Sequence, residues 1–428
     1  MKAIIWPTLV KGEIQAPASK SFTHRAIILA CLSKGQSVIK NCLLADDTIN
    51  TLKACQKLGV NITVNNKVIK VIGRGRNLSL NPQNRLISVG NSGTTMRLIT
   101  SMASLAKQGV VITGNKSLCK RPMLDLITAL KDLGIKIRST NNIGYPPIEI
   151  LNGTLVGGTV KISGKISSQF ISSLLLISPF AKKDVIIKIT DDLKSKPYIK
   201  ITLEMMKKFG VRVKNKNFQE FYIKAGQRYQ GTNYQVDGDF SSASYFFAAA
   251  AICQSKIIVT GLNPNSCQGD KYLLTLLEKM GCQVKKGKQK ITLMGGKELK
   301  GISVNMKNYP DIVQSLAMVA VLAKGKTVMK DIEHLRYKES DRIKATATEL
   351  RKMNVKVETT KSSITVYSSQ PVGAKINTYN DHRMAMCFTV LGLKAKGKTV
   401  INNADVVSKS YPNFYKRFKK LGAKIKLE

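Results

Sequence analysis

The chain has 428 residues, 43% of them hydrophobic, with only 12 Pro and no low-complexity tract, which indicates a folded protein of two or three domains and excludes a disordered one. Its formal net charge of +43 comes from 69 Lys and Arg against 26 Asp and Glu. The lysines are spread along the whole sequence with little aromatic interleaving, which argues against nucleic acid as the main partner and for a positive potential that attracts small anions.

The first segment, "MKAIIW", reads as a strand, and Pro7 breaks its apolar run too early for a secretory leader to be expected. Next comes "ASKSFTHRA" ahead of the apolar run "AIILACL". Polar residues at a helix start are ordinary caps, but Lys20 and Arg25 oppose the positive end of the helix dipole unless an anion lies beside them. An amphipathic helix, "TLKACQKLG", and a hairpin, "VNITVNNKVIKVIG", follow. The "GRGRNL" after it is a hairpin tail with no strand–turn–helix context for a dinucleotide loop.

The same order then recurs. Polar helix starts read "GNSGTTMRL", "GKISSQFIS", "GDFSSASYF", "NYPDIVQSL" and "YNDHRMAMC", each followed by an apolar stretch, a strand and a second helix. Those second helices end at Gly59, Gly134, Gly210, Gly281, Asn354 and Gly422, between 68 and 76 residues apart. Gly and Asn are the residues that tolerate the left-handed turn past a helix end. Helix, strand, helix, strand, strand is therefore the unit, and six copies account for the chain. The sixth lacks its returning strand, which "MKAIIW" is expected to supply. That predicts one domain at 19–236, inserted into a second made of 1–18 and 237–428, with crossings near Ala18 and Val236 acting as a hinge.

Loops ahead of the second helices are cationic: "NKSLCKRPM" with Lys120 and Arg121, "DDLKSKPY" with Lys194 and Lys196, "LRYKESDRI" with Arg336, Lys338 and Arg342, and "VVSKSYP" with Lys409. Helix starts and cations facing one cleft suit substrates rich in phosphate and carboxylate. Each residue also has a plain structural role open to it. Ser19, Ser21, Ser167, Ser168, Ser241, Asp239, Asp311 and Asp381 are candidate caps, Gly93 a candidate turn, and the acids and bases from Lys338 to Arg342 a candidate surface ion-pair pattern of little energetic value. The recurrence of cations in equivalent places is what a core does not require. The eight cysteines contain no CxxC and the three histidines are scattered, so neither a disulfide framework nor a metal site is expected. The longest apolar runs are too short to span a bilayer, and a cytoplasmic protein is expected.

The motifs "ASKSFTHRA", "NSGTTMR", "KRPM", "ISSQF", "SKPYI", "GDFSSASYF", "YPDIVQSLA", "YKESDRI", "NDHRMAM" and "VSKSYP" resemble the 5-enolpyruvylshikimate-3-phosphate synthase family, in order and over nearly the whole chain. The resemblance implies a two-domain inverted α/β barrel-like fold of six βαβαββ units, three per domain. It also implies transfer of the enolpyruvyl group of phosphoenolpyruvate to the 5-hydroxyl of shikimate 3-phosphate through a tetrahedral intermediate. On the same basis Lys20, Asp311 and Glu339 are the proton-transfer residues. Shikimate 3-phosphate falls to Lys20, Ser21, Arg25, Ser167, Ser168, Gln169, Ser195, Asp311 and Lys338, and phosphoenolpyruvate to Lys20, Gly93, Arg121, Gln169, Arg342, Arg383 and Lys409. No cofactor or metal is implied, and a monomer that closes on its anionic ligands is. His334 stands where some members have Asn, and Leu98 where some have Pro. A Gly at 93 leaves room beside the enolpyruvyl site, which leans toward sensitivity to glyphosate.

Two alternatives compete. The sister transferase acting on UDP-N-acetylglucosamine carries a Lys-Asn pair and a loop Cys several residues before its Arg, whereas here Ser21 follows Lys20 and Cys119 lies two residues before Arg121. A non-catalytic polyanion scaffold explains the charge but not Asp311 and Glu339 among the cations.

Overall fold

The computed structural model describes the backbone of residues 1–428 and the side chains of all but 152 and 153. It is a mixed α/β protein whose chain divides into two compact units, Lys20–Val236 and Met1–Ser19 with Asp237–Glu428. Among the described residues no helix is long and apolar enough to cross a membrane.

In the inserted unit, Lys20–Val236, the helices are α1 (Lys20–Leu32), α2 (Asp46–Lys57), α3 (Gly93–Ala103), α4 (Leu124–Asp132), α5 (Ser168–Ile177) and α6 (Lys196–Lys208). From Phe22 to Leu32 every residue of α1 is buried, and α3 and α5 are nearly as enclosed. A helix apolar or small on all sides belongs inside, and α3 packs against both α1 and α5. By contrast α2, α4 and α6 carry Lys with Asp or Glu on one face and cover the outside.

Strands pair in a fixed order. Leu86–Ser88 runs parallel to Val110–Thr113, which is antiparallel to Ile148–Gly153, itself antiparallel to Ile135–Ser139. Gly158–Ile162, Val185–Ile189, Glu220–Ile223 and Lys214–Lys216 pair in the same sense. Ser33–Lys40 lies between the hairpin strand Val68–Arg74 and two short parallel segments at Tyr229–Gln230 and Asn233–Gln235.

The terminal unit holds α7 (Phe240–Ile252), α8 (Tyr272–Lys279), α9 (Val313–Ala320), α10 (Arg342–Lys352), α11 (His382–Gly392) and α12 (Phe414–Lys420). Helices α7, α9 and α11 pack on one another and are buried along their whole length. The α12 aromatics close this core, with Phe418 stacked on Phe246 at 5.1 Å and Phe414 4.7 Å from Phe418. Full burial of one such ring stabilises by roughly 1.5–3 kcal/mol. Strand Ala3–Ile5 lies between Thr399–Ile401 and Ile425–Leu427, antiparallel to both, so the two chain ends share one sheet.

All six helix-end positions singled out above have positive φ, from 61° at Asn354 to 108° at Gly281. Asn354 shows that the backbone conformation, more than glycine itself, is what the position demands.

Candidate active site

In the inserted unit the candidate residues collect at helix starts. Lys20 is the first residue of α1, and its Nζ donates to Asp47 Oδ2 at 3.0 Å. Asp47 is buried in the first turn of α2, and its carbonyl accepts from Thr95 Oγ1 of α3 at 3.1 Å. Ser21 offers its carbonyl to Arg25 Nη1 at 3.0 Å. Arg25 is fully buried between α1 and α6, donating from Nε to Thr202 Oγ1 at 2.7 Å and from Nη2 to the Tyr198 carbonyl at 3.2 Å.

Ser92 caps α3, accepting from the Thr95 amide, and Gly93 is the first helical residue. A Cβ at Gly93 would lie 2.8 Å from Arg121 Nη1, so glycine is what lets this guanidinium lie against the helix start. Arg121 donates from Nη2 to Asn91 Oδ1 at 2.5 Å, while among the described residues its buried Nε has no hydrogen-bond partner. Arg97 donates to Gln169 Oε1 at 2.8 Å, and Gln169 Nε2 donates to Thr94 Oγ1 at 2.9 Å, which fixes that amide between α3 and α5. Ser167 caps α5 by accepting from the Gln169 amide, and Ser168 opens the helix. Ser195, before α6, is buried and left-handed at φ 59°, a conformation a non-glycine residue holds only under surrounding constraint. The starts of α1, α3 and α5, their amides and these cations favour anions together.

In the terminal unit the arrangement centres on Arg342, in the first turn of α10 and 2% exposed. It donates to three carboxylates: Asp381 Oδ2 from Nε at 2.8 Å, Glu339 Oε2 from Nη2 at 2.8 Å and Asp311 Oδ1 from Nη1 at 3.1 Å. Burial opposes its charge, but Asp381 and Glu339 outweigh that and push the guanidinium above its ordinary pKa. The second oxygen of Asp311 accepts from Arg383 Nη2 at 3.0 Å, and Lys409 Nζ lies 3.4 Å from Glu339 Oε1. Arg383 also donates to Tyr245 Oη at 3.0 Å and to Ser241 Oγ at 3.1 Å. Ser241 in turn donates to buried Asp270 at 2.5 Å. Burial and the neighbouring Asp311 push the Asp270 carboxyl up to about 7. Lys338 is half-buried in extended backbone just before Glu339.

The three aspartates offered as caps in this unit separate here. Asp239 accepts from the Ser241 amide at the start of α7, and Asp381 from the Arg383 amide at the start of α11. Asp311 does not cap: α9 begins two residues later, after Ile312, and the carboxylate faces two guanidinium groups instead. The surface ion-pair reading of Lys338 to Arg342 also needs correction, because Arg342 is buried and Glu339 nearly so. Only Arg336 with Asp341 has the half-exposed character expected of that pattern. Asp47 and Asp270 enter the site without having been singled out in the sequence, since neither stands in a motif with local meaning.

The model of the family described as EPSP synthase (3-phosphoshikimate 1-carboxyvinyltransferase) matches residues 6–418. The 3-phosphoshikimate 1-carboxyvinyltransferase of Methanocaldococcus jannaschii is 42% identical over 421 residues, covering 98% of this chain and 97% of that protein. That of Methanocella arvoryzae is 43% identical over 431 residues, covering 100% and 99%. The solved structure of EPSP synthase from Acinetobacter baumannii superposes with a TM-score of 0.84 at 28% identity, over the full length of both chains.

Proposed function

The chain belongs to the EPSP synthase family, and from that premise we propose how its side chains divide the work of the reaction. It transfers the enolpyruvyl group of phosphoenolpyruvate to shikimate 3-phosphate, releasing phosphate, in the shikimate pathway toward aromatic amino acids.

Phosphoenolpyruvate becomes electrophilic at C2 when its methylene carbon, C3, takes a proton. The 5-hydroxyl oxygen of shikimate 3-phosphate then bonds to C2 and gives up its proton, forming a tetrahedral adduct that still carries the phosphate. Loss of one C3 proton restores the double bond as the C2–O bond to phosphate breaks. In our reading Asp311 takes the hydroxyl proton, and Lys20 and Glu339 deliver and retrieve the C3 proton. Ser21, Arg25, Ser167, Ser168, Gln169, Ser195 and Lys338 hold shikimate 3-phosphate. Arg121, Arg342, Arg383 and Lys409 hold phosphoenolpyruvate, with Gly93 making the room and Gln169 touching both substrates.

One observation carries this reading: the carboxylate of Asp311 lies between Arg342 and Arg383 instead of capping its helix. A substrate phosphate or carboxylate that draws these donors toward itself would leave the Asp311 carboxylate facing the attacking hydroxyl. We also read the chain as six βαβαββ units, three in each of domains 19–236 and 1–18 plus 237–428, a reading supported by the recurring order of parallel and antiparallel pairs. The protein works as a cytoplasmic monomer without cofactor in this account.

Phosphate release on mixing the protein with phosphoenolpyruvate and shikimate 3-phosphate tests the assignment, with UDP-N-acetylglucosamine as the comparison acceptor. Release with the shikimate acceptor alone is expected. Release with the nucleotide sugar would transfer the assignment to the sister reaction. Asp311→Ala should abolish turnover while leaving anion binding intact, and a scaffold without catalysis would show no turnover to lose.

A further inference from the structure

The "GRGRNL" tail has no role in the chemistry above, yet it borders a cavity of about 500 Å³ within the inserted unit. The cavity lies at the far end of α1, lined by Leu32 and the residues after it, about 20 Å along the helix from Lys20. Four cations line it: Lys34, Arg74, Arg76 and Arg228. None of its lining residues is an acid.

General basicity does not account for this set. Arginine supplies only 14 of the 69 cationic residues of the chain, and lysine the rest. Around this cavity the ratio is reversed, three arginines to one lysine. Elsewhere arginines collect in the two polar clusters described above, at 25, 97 and 121 in the inserted unit and at 342 and 383 in the terminal unit. A guanidinium matches phosphate or carboxylate with two parallel donors, which an ammonium does not.

The cavity is also built. At Gly73 a Cβ would sit 2.2 Å from the Ser33 carbonyl oxygen and 2.5 Å from that of Ala30, so glycine allows the hairpin to lie against the end of α1. Arg74 is oriented by donating to the carbonyls of Gly59 at 2.8 Å and Asn77 at 3.1 Å. Opposite stand Phe180 and Tyr229, ring centroids 5.9 Å apart, with the Tyr229 hydroxyl anchored on the Leu176 carbonyl at 3.0 Å. Asp184, just beyond this wall, is engaged by the Tyr222 hydroxyl and the Ala225 amide.

We propose that this cavity is a second ligand site, for a small organic dianion built on an aromatic ring. The arginines take a phosphate or a pair of carboxylates, and the Phe180 face takes the ring. The volume suits a ligand of nucleoside-monophosphate size.

Calorimetric titration of the full chain, in saturating shikimate 3-phosphate, tests this with AMP, isophthalate and inorganic phosphate. One AMP or isophthalate per chain is expected, and whichever binds more tightly tells phosphate from dicarboxylate. R76E/R228E should weaken that binding at least tenfold. The control K286E/K288E changes net charge equally at exposed sites of the terminal unit and should change it less than twofold. F180A should weaken both ring-bearing anions more than inorganic phosphate. Equal weakening by the two double variants, an unchanged affinity in R76E/R228E, or no saturable binding of either aromatic anion overturns the proposal.

Discussion

The two polar clusters use arginine in opposite ways. In the inserted unit Arg25, Arg97 and Arg121 hydrogen-bond to hydroxyls, backbone carbonyls and side-chain amides. In the terminal unit Arg342 and Arg383 hydrogen-bond to carboxylates, three of them on Arg342 alone. Neutral acceptors orient a guanidinium without adding the opposite charge that a carboxylate brings. Carboxylates compensate the charge, and they are also groups that can take and return protons. On the proposed division of work the first cluster binds and adds Lys20 to proton transfer, whereas the second binds and adds Asp311 and Glu339, so arginine substitutions in the two units should fail in different ways.

The largest contrast is expected for Asp311→Asn. It keeps the shape between Arg342 and Arg383 but removes the base, and the turnover number should fall about a thousandfold, within the range for loss of a general base. Phosphoenolpyruvate affinity, read by fluorescence or calorimetry, should hold or improve as the two arginines lose a competing anion. A fall in turnover under tenfold would remove Asp311 from proton transfer.

Next in size is stability. Arg342→Met removes the buried cation shared by Asp311, Glu339 and Asp381, and breaking a buried ion pair this way costs about 3–5 kcal/mol. Arg121→Met leaves only the Asn91 amide behind and should cost about 1 kcal/mol or less. Urea denaturation of both variants measures the difference. Equal losses would mean that the carboxylates around Arg342 relax into water and that the contrast between the clusters is one of geometry alone.

Smaller again is Gly93→Ala. The new methyl would stand 2.8 Å from Arg121 Nη1, and the guanidinium, as the end of a flexible side chain, should swing aside. KM for phosphoenolpyruvate should rise about tenfold, about 1.4 kcal/mol, with the turnover number nearly unchanged. If KM stays constant here but rises in an Arg121 variant, the methyl is accommodated elsewhere and the steric account is wrong.

The sequence was most legible where one local conformation selects one residue type. Helix ends at Gly59 to Gly422 could be read because the left-handed residue past a helix end is most often Gly or Asn. The caps at Ser167, Asp239 and Asp381 could be read because a short oxygen before an apolar run has few other roles. Ser92 caps α3 in the same way but was not singled out beside Gly93. Asp311 looked the same in "YPDIVQSL" but sits two residues early for its helix, a shift set by a turn at Asp311 and Ile312 that no local pattern marks. Partnerships across the fold were illegible for a simpler reason. Asp47 meets Lys20 from 27 residues away and Gln169 meets Arg97 from 72, both through packing of buried helices. Family resemblance named Lys20 and Gln169, but neither it nor periodicity names the residues that hold them.

Asp270 offers the finest probe of the comparison, because its environment raises its pKa to about 7 from 3.8. Burial and repulsion from Asp311 favour its protonated form, against the hydrogen bond from Ser241 and the attraction of Arg383. Between about pH 4 and pH 7 the folded chain therefore holds a proton that the unfolded chain has lost. Stability must then fall as pH rises through that window, with the loss complete above it. Asp270→Asn stays neutral throughout and still accepts from Ser241. It should match the parent below about pH 4 and exceed it increasingly up to pH 8, read as the pH dependence of the difference in urea midpoints. Parallel curves for parent and variant would show that Asp270 is ionised at neutral pH. Ser241 would then connect Arg383 to a second carboxylate, and this arginine too would be held between two acids. Curves that diverge as expected make Asp270 a protonated, neutral partner of Ser241 below about pH 7, so that there no carboxylate charge reaches Arg383 through that serine.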